Sequence, residues 1–384
     1  MEPVKSLPDI FEEFSEQRKN AFLDAHEMKK QGVPFVGTFC TYTPNEIIRA
    51  AGAVPVGLCS FSDETIPDAE ADLPKNLCPL IKSSYGFAKS QKCPYFYFAD
   101  LIVGETTCDG KKKMYEILGE IKDVHILELP NRQSSMGRAL WRDEVMKFKE
   151  KLEQKFGVTI TAEKVREEVK IANRNRIAMK KFYELMQLDP PPMAGLNLYD
   201  VLYGSSFKFD QEDTVEEMDR LTGRIRAEHA AGNHPIPKRP RILITGCPIG
   251  GSTMKVVRAI EENGGNVVCY ENCAGAKAVD ELVEENAEDI FQAIADRYLN
   301  IGCSVMTPDT NRLKLLGRLL EEFHIEGVVE VILQACHTYN VESYSIRRFV
   351  ESKGIPYMSL ETDYSTSDIG QLTTRCAAFV EMLE

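Results

Sequence analysis

No stretch of this 384-residue chain approaches the roughly 18 consecutive apolar residues that a membrane-spanning helix requires. Its first residues, MEPVKSLPDIFEEF, are acidic and lack an apolar core. No secretory signal is therefore expected, and the reading is a soluble, cytoplasmic protein. Positive charge is scarce: 46 Lys and Arg face 59 Asp and Glu, a net charge of −13. Nucleic acid and anionic membranes would repel such a chain at long range, so neither is an expected partner. There is no Cys-x-x-Cys pair, which argues against structural zinc and a thioredoxin-like dithiol. Neither a Ser–His–Asp signature nor a His-Glu-x-x-His motif occurs, so a hydrolase is not expected. Both common nucleotide-binding glycine patterns are missing too, although Gly250-Gly251-Ser252-Thr253 could in principle cradle a phosphate.

Tryptophan occurs once, but hydrophobic residues make up 43% of the chain, enough for a sizeable core spread over about two to three domains. Residues 7–31 have helical spacing of Leu7, Ile10, Phe11, Phe14, Phe22 and Leu23. Short apolar strands are then predicted near 33–39, 53–58, 100–103 and 124–129, separated by helical stretches. Residues 137–189 form a long, charged, helical segment with Trp141, Val145, Phe148, Leu152 and Phe156 on one stripe, and a further amphipathic helix spans 210–231. The proline-rich run His234–Pro240 reads as a stiff linker. After it the strand–helix rhythm restarts, with strands predicted near 241–246, 266–270, 328–333 and 356–360. Short buried strands alternating with helices imply parallel sheets with crossover helices. The expected architecture is α/β: two doubly wound, flavodoxin- or Rossmann-like parallel-sheet domains facing each other, with an added helical segment. The boundaries fall at 1–136, 137–236 and 237–384.

Cysteine is what the chain has in unusual supply. Eleven residues are too sparse for a disulfide scaffold and odd in number. Cys40, Cys59, Cys78 and Cys108 follow the first strand, the second strand, the next connection and the third strand of the first half. Cys247, Cys273, Cys303 and Cys336 occupy the same four stations in the second half. The intervals are 19, 19 and 30 residues against 26, 30 and 33. The crevice beyond the carboxyl ends of parallel strands is where open α/β sheets bind ligands. A single cysteine at a strand end is ordinarily a small hydrophobe, and Cys93, Cys269 and Cys376 fit that description. Eight in register at one edge do not, and thiolates drawn from such distant positions suit an iron–sulfur cluster held between two domains.

The flanking residues add to this. Cys78-Pro79 and Cys247-Pro248 lead into helix starts, and Cys108-Asp109-Gly110-Lys111-Lys112-Lys113 puts three cations in the next turn. Helix N-termini and cations offset the negative charge of a thiolate-ligated cluster, although a lysine run taken alone reads as a solvated face. Acid–base candidates are few: Glu46 beside Cys40, where helix-dipole stabilisation is the plain alternative, then His337 after Cys336, and Asp363 and Ser365, which fit turn chemistry.

The segments GTFCTYTPNEIIRAAGAVPVGLCS, NLCPLIKSSYG, GETTCDGKKKMYE, YENCAGAK, LQACHTYNVES and LETDYSTSDIGQLTTR, in that order, resemble the 2-hydroxyacyl-CoA dehydratase D-component family. That superfamily includes benzoyl-CoA reductase subunits and double-cubane cluster proteins, and the likeness is greatest to its single-gene dehydratase-subunit branch, related to the double-cubane proteins. The resemblance implies a 4Fe-4S cluster on Cys78, Cys108 and Cys336. In a double-cubane relative a second cubane needs three more thiolates. Cys59, Cys247 and Cys303 are favoured for these seats, with Cys273 close behind and Cys40 also available. It further implies a separate ATP-hydrolysing 4Fe-4S activator, a homodimer, and Glu46 on the substrate side as a catalytic candidate. The leading functional expectation is the catalytic component of an ATP-dependent low-potential reductase that carries an 8Fe-9S double cubane and reduces a small molecule. One alternative is a 2-hydroxyacyl-CoA dehydratase subunit that performs radical dehydration of an acyl-CoA with a single 4Fe-4S cluster. Another is a non-catalytic iron–sulfur electron carrier.

Overall fold

The structure is a computed structural model describing residues 5–384. Eight strands form two four-stranded sheets, every pairing parallel. The first sheet contains β1 (Phe35–Thr38), β2 (Val54–Gly57), β3 (Leu101–Glu105) and β4 (Val124–Leu127). The second contains β5 (Arg241–Gly246), β6 (Asn266–Tyr270), β7 (Gly327–Leu333) and β8 (Tyr357–Thr362). All eight coincide, to within a residue or two, with the apolar runs read from the sequence. Their spatial orders, β2-β1-β3-β4 and β6-β5-β7-β8, are the same topology repeated. In each sheet the order turns back between the first and third strands, and this is the switch point at which a crevice opens beyond the carboxyl ends.

Burial explains why these segments are strands. Every residue of β3, β5, β6 and β7 is buried, as expected when helices cover both faces of a parallel sheet. The helix Leu7–Lys30 starts with a reciprocal cap, Ser6 accepting from the Asp9 N–H while the Asp9 carboxylate accepts from the Ser6 N–H. Its early residues Phe11 and Phe14 join the core of the second sheet, and Ala21 and Ala25 join that of the first.

The added helical region consists of Ser135–Phe156, Ala162–Tyr183, Gly195–Ser205 and Gln211–Ala230, with a single 3-10 turn at Glu184–Gln187. Trp141, Val145, Phe148 and Leu152 are fully buried against the first sheet, the stripe expected from the sequence. Each such side chain contributes about 1.5–3 kcal/mol on burial. Phe182, Leu198 and Met218, from later in the same region, pack on the second sheet. The helix Ile290–Leu299, which lies in the second half of the sequence, returns to the core of the first sheet through Ile294 and Tyr298. Elements therefore cross between the halves in both directions, which fixes the two carboxyl edges opposite each other.

Candidate iron–sulfur centre between two sheet edges

The eight cysteines expected at the functional edge all lie there or in the connections above it. Cys40 and Cys59 follow β1 and β2, and Cys247 and Cys273 follow β5 and β6. Gly246 makes the exit from β5 possible: its φ of +101° is left-handed, and a Cβ there would stand 2.3 Å from the Val331 carbonyl oxygen. This lets the Cys247 N–H donate to that same oxygen at 2.8 Å. Cys78, Cys108 and Cys336 are the N-cap residues of Pro79–Lys89, Asp109–Leu118 and His337–Ser352. First-turn N–H groups of Leu80 and Ile81, of Lys111, and of Tyr339 lie near the three sulfurs and favour their thiolates without closing full capping bonds.

The structure sorts these thiols into two sets. Cys336, from the second half, sits between Cys247 and Cys78. The neighbouring Cys247 and then Cys78 thiols hold the Cys336 thiol well below its ordinary value against the effect of burial. Its thiolate in turn pushes Cys78 up, with burial acting in the same direction, and burial and then Cys336 push up Cys247. Cys108 neighbours Cys336 and Cys303. The second set is Cys40 with Cys273 and Cys303. Thr41 Oγ1 lies 3.8 Å from the Cys273 sulfur, and the Tyr339 hydroxyl 3.8 Å from that of Cys303. Cys59 differs in that its sulfur lies 3.2 Å from the Phe39 carbonyl oxygen and the charges shaping it are Lys111, Glu105 and Arg18.

Two ammonium groups, one half-buried and one buried, face these thiols. Burial raises the thiols of Cys40 and Cys59, and Lys111 is the largest opposing charge; Lys277 does the same for Cys273. The Lys111 Nζ donates to the Phe39 oxygen at 2.9 Å, whereas Lys112 and Lys113 pair at the surface with Asp109 and Glu116. A solvated face is thus the right description of two of the three lysines. Lys277 donates to Tyr339 at 3.3 Å and pairs with Glu271 at 3.1 Å. It also lines, with Gly302 and Lys314 among others, a cavity of about 120 Å³.

The donor set fits a polynuclear thiolate centre. Among the described residues no three His, Cys, Asp or Glu side chains converge on a point that one metal ion would occupy. A polynuclear cluster presents its irons at separate corners, so its thiolate ligands need not meet at one point. The remaining cysteines have local roles. Cys269 is buried within β6 with its sulfur 2.9 Å from the Tyr183 hydroxyl, Cys376 is buried in Ile369–Leu383, and Cys93 accepts from the Phe96 N–H at 3.4 Å.

Glu46 lies in the first turn of Asn45–Ala50 and is fully buried. One carboxylate oxygen is paired with Arg176, and the other accepts from the Tyr298 hydroxyl at 2.8 Å. Burial alone would raise this carboxyl, but Arg176 and Arg297 outweigh it and hold it below its ordinary value. Its folded pKa being depressed, its contribution to stability is complete above the ordinary carboxylate range and is lost as pH falls through the lowered value. E46A leaves Arg176 buried without its anion and is expected to destabilise the fold by about 3–5 kcal/mol. Thermal unfolding between pH 4 and 7 checks this, and an unchanged midpoint at pH 7 would contradict it.

Asp363 accepts from the Ser365 N–H at 2.8 Å, as turn chemistry predicts, and His337 is exposed. The space around the Gly250–Thr253 turn is filled by Phe61 and Tyr199, which a Cβ at Gly250 would strike at 2.7 and 2.5 Å, so no phosphate cradle is formed. Sequence reasoning passed over Glu105, Lys277, Tyr339 and Arg312. The one available signal was an acidic residue ending an otherwise apolar central strand, Leu101–Glu105.

The family model of the 2-hydroxyglutaryl-CoA dehydratase D-component matches residues 40–383. The chain is 56% identical over 385 residues to "Putative dehydratase subunit YjiM" of Escherichia coli (strain K12), covering all of both chains. It is 23% identical to the (R)-2-hydroxyglutaryl-CoA dehydratase subunit beta of Acidaminococcus fermentans, over 98% of this chain and 100% of that one. Identity to a benzoyl-CoA reductase subunit of Thauera aromatica is 20%, over 89% of each chain. Among the described residues no helix is long and apolar enough to cross a membrane. The chain belongs to the 2-hydroxyglutaryl-CoA dehydratase D-component family.

Proposed function

We propose that this protein is the iron–sulfur component of an ATP-dependent, low-potential reductase system, with a double-cubane centre held between its two sheet edges. The observation that carries the reading is the convergence of thiols from both halves, with Lys111 beside Cys40 and Cys108 and the buried Lys277 beside Cys273. Cys78, Cys108 and Cys336 hold the first cubane, with Cys247 against Cys336. For the second, the neighbours favour Cys40, Cys273 and Cys303. Cys59, a favoured seat from the sequence, has no thiol among the groups that shape it, and Cys40 takes its place.

When bound, such a centre supplies single electrons at low potential. The chain's own residues tune and protect it. Lys111, Lys277 and the three helix N-termini offset its negative charge, and burial of the thiols limits access by water. The electrons come from a separate ATP-hydrolysing 4Fe-4S activator, and the working form is a homodimer acting on a small unsaturated molecule. Glu46, with both oxygens engaged, belongs to the scaffold.

The dehydratase names of two relatives favour a second reading, in which only the first thiol set loads and the chain works as one subunit of an acyl-CoA dehydratase. Iron and acid-labile sulfide per chain, measured on anaerobically purified protein, separate the two. About eight irons with a slight excess of sulfide support two bridged cubanes, about four support the dehydratase subunit, and none after reconstitution would overturn both.

A further inference from the structure

Tyr364 lies two residues beyond the carboxyl end of β8, in the turn that Asp363 closes by accepting from the Ser365 N–H at 2.8 Å. Lys255, which opens the helix Lys255–Glu262, braces the same turn by donating to the Ser365 carbonyl oxygen at 2.6 Å and pairing with Asp368. Although it belongs to the second half, Tyr364 packs in the core of the first sheet, in one cluster with Cys78 and Cys247 and with the partly buried Cys59, Cys108 and Cys336. The Phe61 ring meets it edge-on, with centroids 6.4 Å apart. Tyr364 is 1% exposed, and its hydroxyl has no hydrogen-bond partner among the described residues. After burial, the groups that act on this hydroxyl are the thiols of Cys78, Cys59 and Cys247, none of which accepts from it, and then Tyr199.

A buried tyrosine has one proton to give, and leaving its hydroxyl unpaired costs about 1–3 kcal/mol. The fold meets that need for other buried tyrosines with carbonyl oxygens: Tyr42 donates to Ile301 at 2.8 Å, Tyr183 to Tyr270 at 3.1 Å, Tyr199 to Ile249 at 3.1 Å and Tyr270 to Gly195 at 2.8 Å. At Tyr364 no carbonyl is supplied, and packing alone would be served by phenylalanine. The acceptor is therefore an atom that the chain's own groups do not provide, on the side where Cys78, Cys59 and Cys247 lie. We propose that the Tyr364 hydroxyl donates a hydrogen bond to a sulfur of the iron–sulfur centre held by Cys78 and thereby stabilises its reduced, more negative state. This rests on the iron–sulfur reading above. Hydrogen bonds to cluster sulfur are one of the means by which a protein sets a reduction potential, because each offsets part of the charge that reduction adds.

The test uses the full-length, anaerobically purified protein with its iron content measured first. Y364F keeps the ring and should keep wild-type iron content. A hydrogen bond to a charged acceptor is worth about a factor of ten, so reduction of the centre in Y364F should be about tenfold less favourable, a shift of ~59 mV to lower potential for one electron. A redox titration followed by electron paramagnetic resonance reads this shift. Y183F, which removes a buried hydroxyl from the core of the second sheet, should leave the potential where it was. Electron–nuclear double resonance of reduced protein, loaded in H₂O and in D₂O, should show an exchangeable proton coupling in the wild type that Y364F lacks. A wild-type potential in loaded Y364F, the same shift in Y183F, an unchanged set of exchangeable couplings, or iron loss in Y364F would each overturn the proposal. Absence of iron from the reconstituted wild type would instead overturn the reading on which it rests.

Discussion

Replacing Cys336 with alanine is expected to remove most of the bound iron, whereas C376A leaves iron content at the wild-type level. Cys336 sits between Cys247 and Cys78 and caps the first turn of His337–Ser352, whose N–H groups favour its thiolate. Metal binding requires the thiolate, and this helix start favours one. Cys336 is also the bridge between halves: its neighbours Cys78 and Cys108 come from the first half and Cys247 from the second. Losing it takes one thiol from the proposed first ligand set. Cys376 is fully buried, but it lies in the C-terminal helix and packs in the hydrophobic core of the second sheet. Iron assay and the electron paramagnetic resonance spectrum of both variants decide the matter. Full iron in C336A would dismiss the first ligand set, and iron loss in C376A would show that the cysteines were divided wrongly.

The strands were legible because parallel-sheet strands buried on both faces are short apolar runs with little else to imitate, and the cysteine register followed from where those runs end. The stripe Trp141, Val145, Phe148 and Leu152 was equally plain, since four buried positions at helical spacing leave a periodic trace. The break of the long helical segment near 157–161 was less so: the turn is short, and the charges on either side are alike. The site's charged wall was hidden for a different reason. Lys111 lies in a run of three lysines, and only the orientation of Asp109–Leu118 turns one of them inward. Glu105 and Lys277 come from opposite halves of the chain, and Arg312 meets residues from 245 to 342. No local pattern encodes pairings between residues tens of positions apart that meet only in the folded chain. The sorting of Cys40 with Cys273 and Cys303 is of the same kind, because equivalent stations along the sequence are not equivalent positions across the cleft.

R312M is expected to be the most destabilising single change in the molecule outside the thiols. Arg312 is fully buried and holds three carboxylates at once: Glu271 at 3.4 Å, Glu330 at 3.2 Å, and Glu342. It also donates to Thr245 Oγ1 at 2.9 Å and stacks over the Tyr339 ring at 4.9 Å. Methionine fills much of the volume but leaves Glu271 and Glu330 in the interior with only Lys277 to offset them. Removing one partner of a buried pair costs about 3–5 kcal/mol, and here several acids lose the same partner. The pH dependence identifies the cause. In the wild type Glu271 is held low because Lys277 and Arg312 outweigh burial, so its stabilisation is present above the ordinary carboxylate range and lost in acid. In R312M burial is opposed by less charge, and folded-state pKa values that rise above their unfolded values reverse the sign. The variant then gains stability relative to wild type as pH falls from 8 towards 5, and its deficit is greatest at alkaline pH. Chemical denaturation at several pH values measures this, and a deficit that is independent of pH would mean that lost packing, not stranded charge, is responsible. R312K should recover little, since one ammonium cannot reach three carboxylates that a planar guanidinium meets along different edges. Because Tyr339 lies between Arg312 and Cys303, loosening this network should also loosen the second thiol set. Iron loss in R312M beyond what its unfolded fraction explains would then tie the buried charges of the second half to the centre they surround.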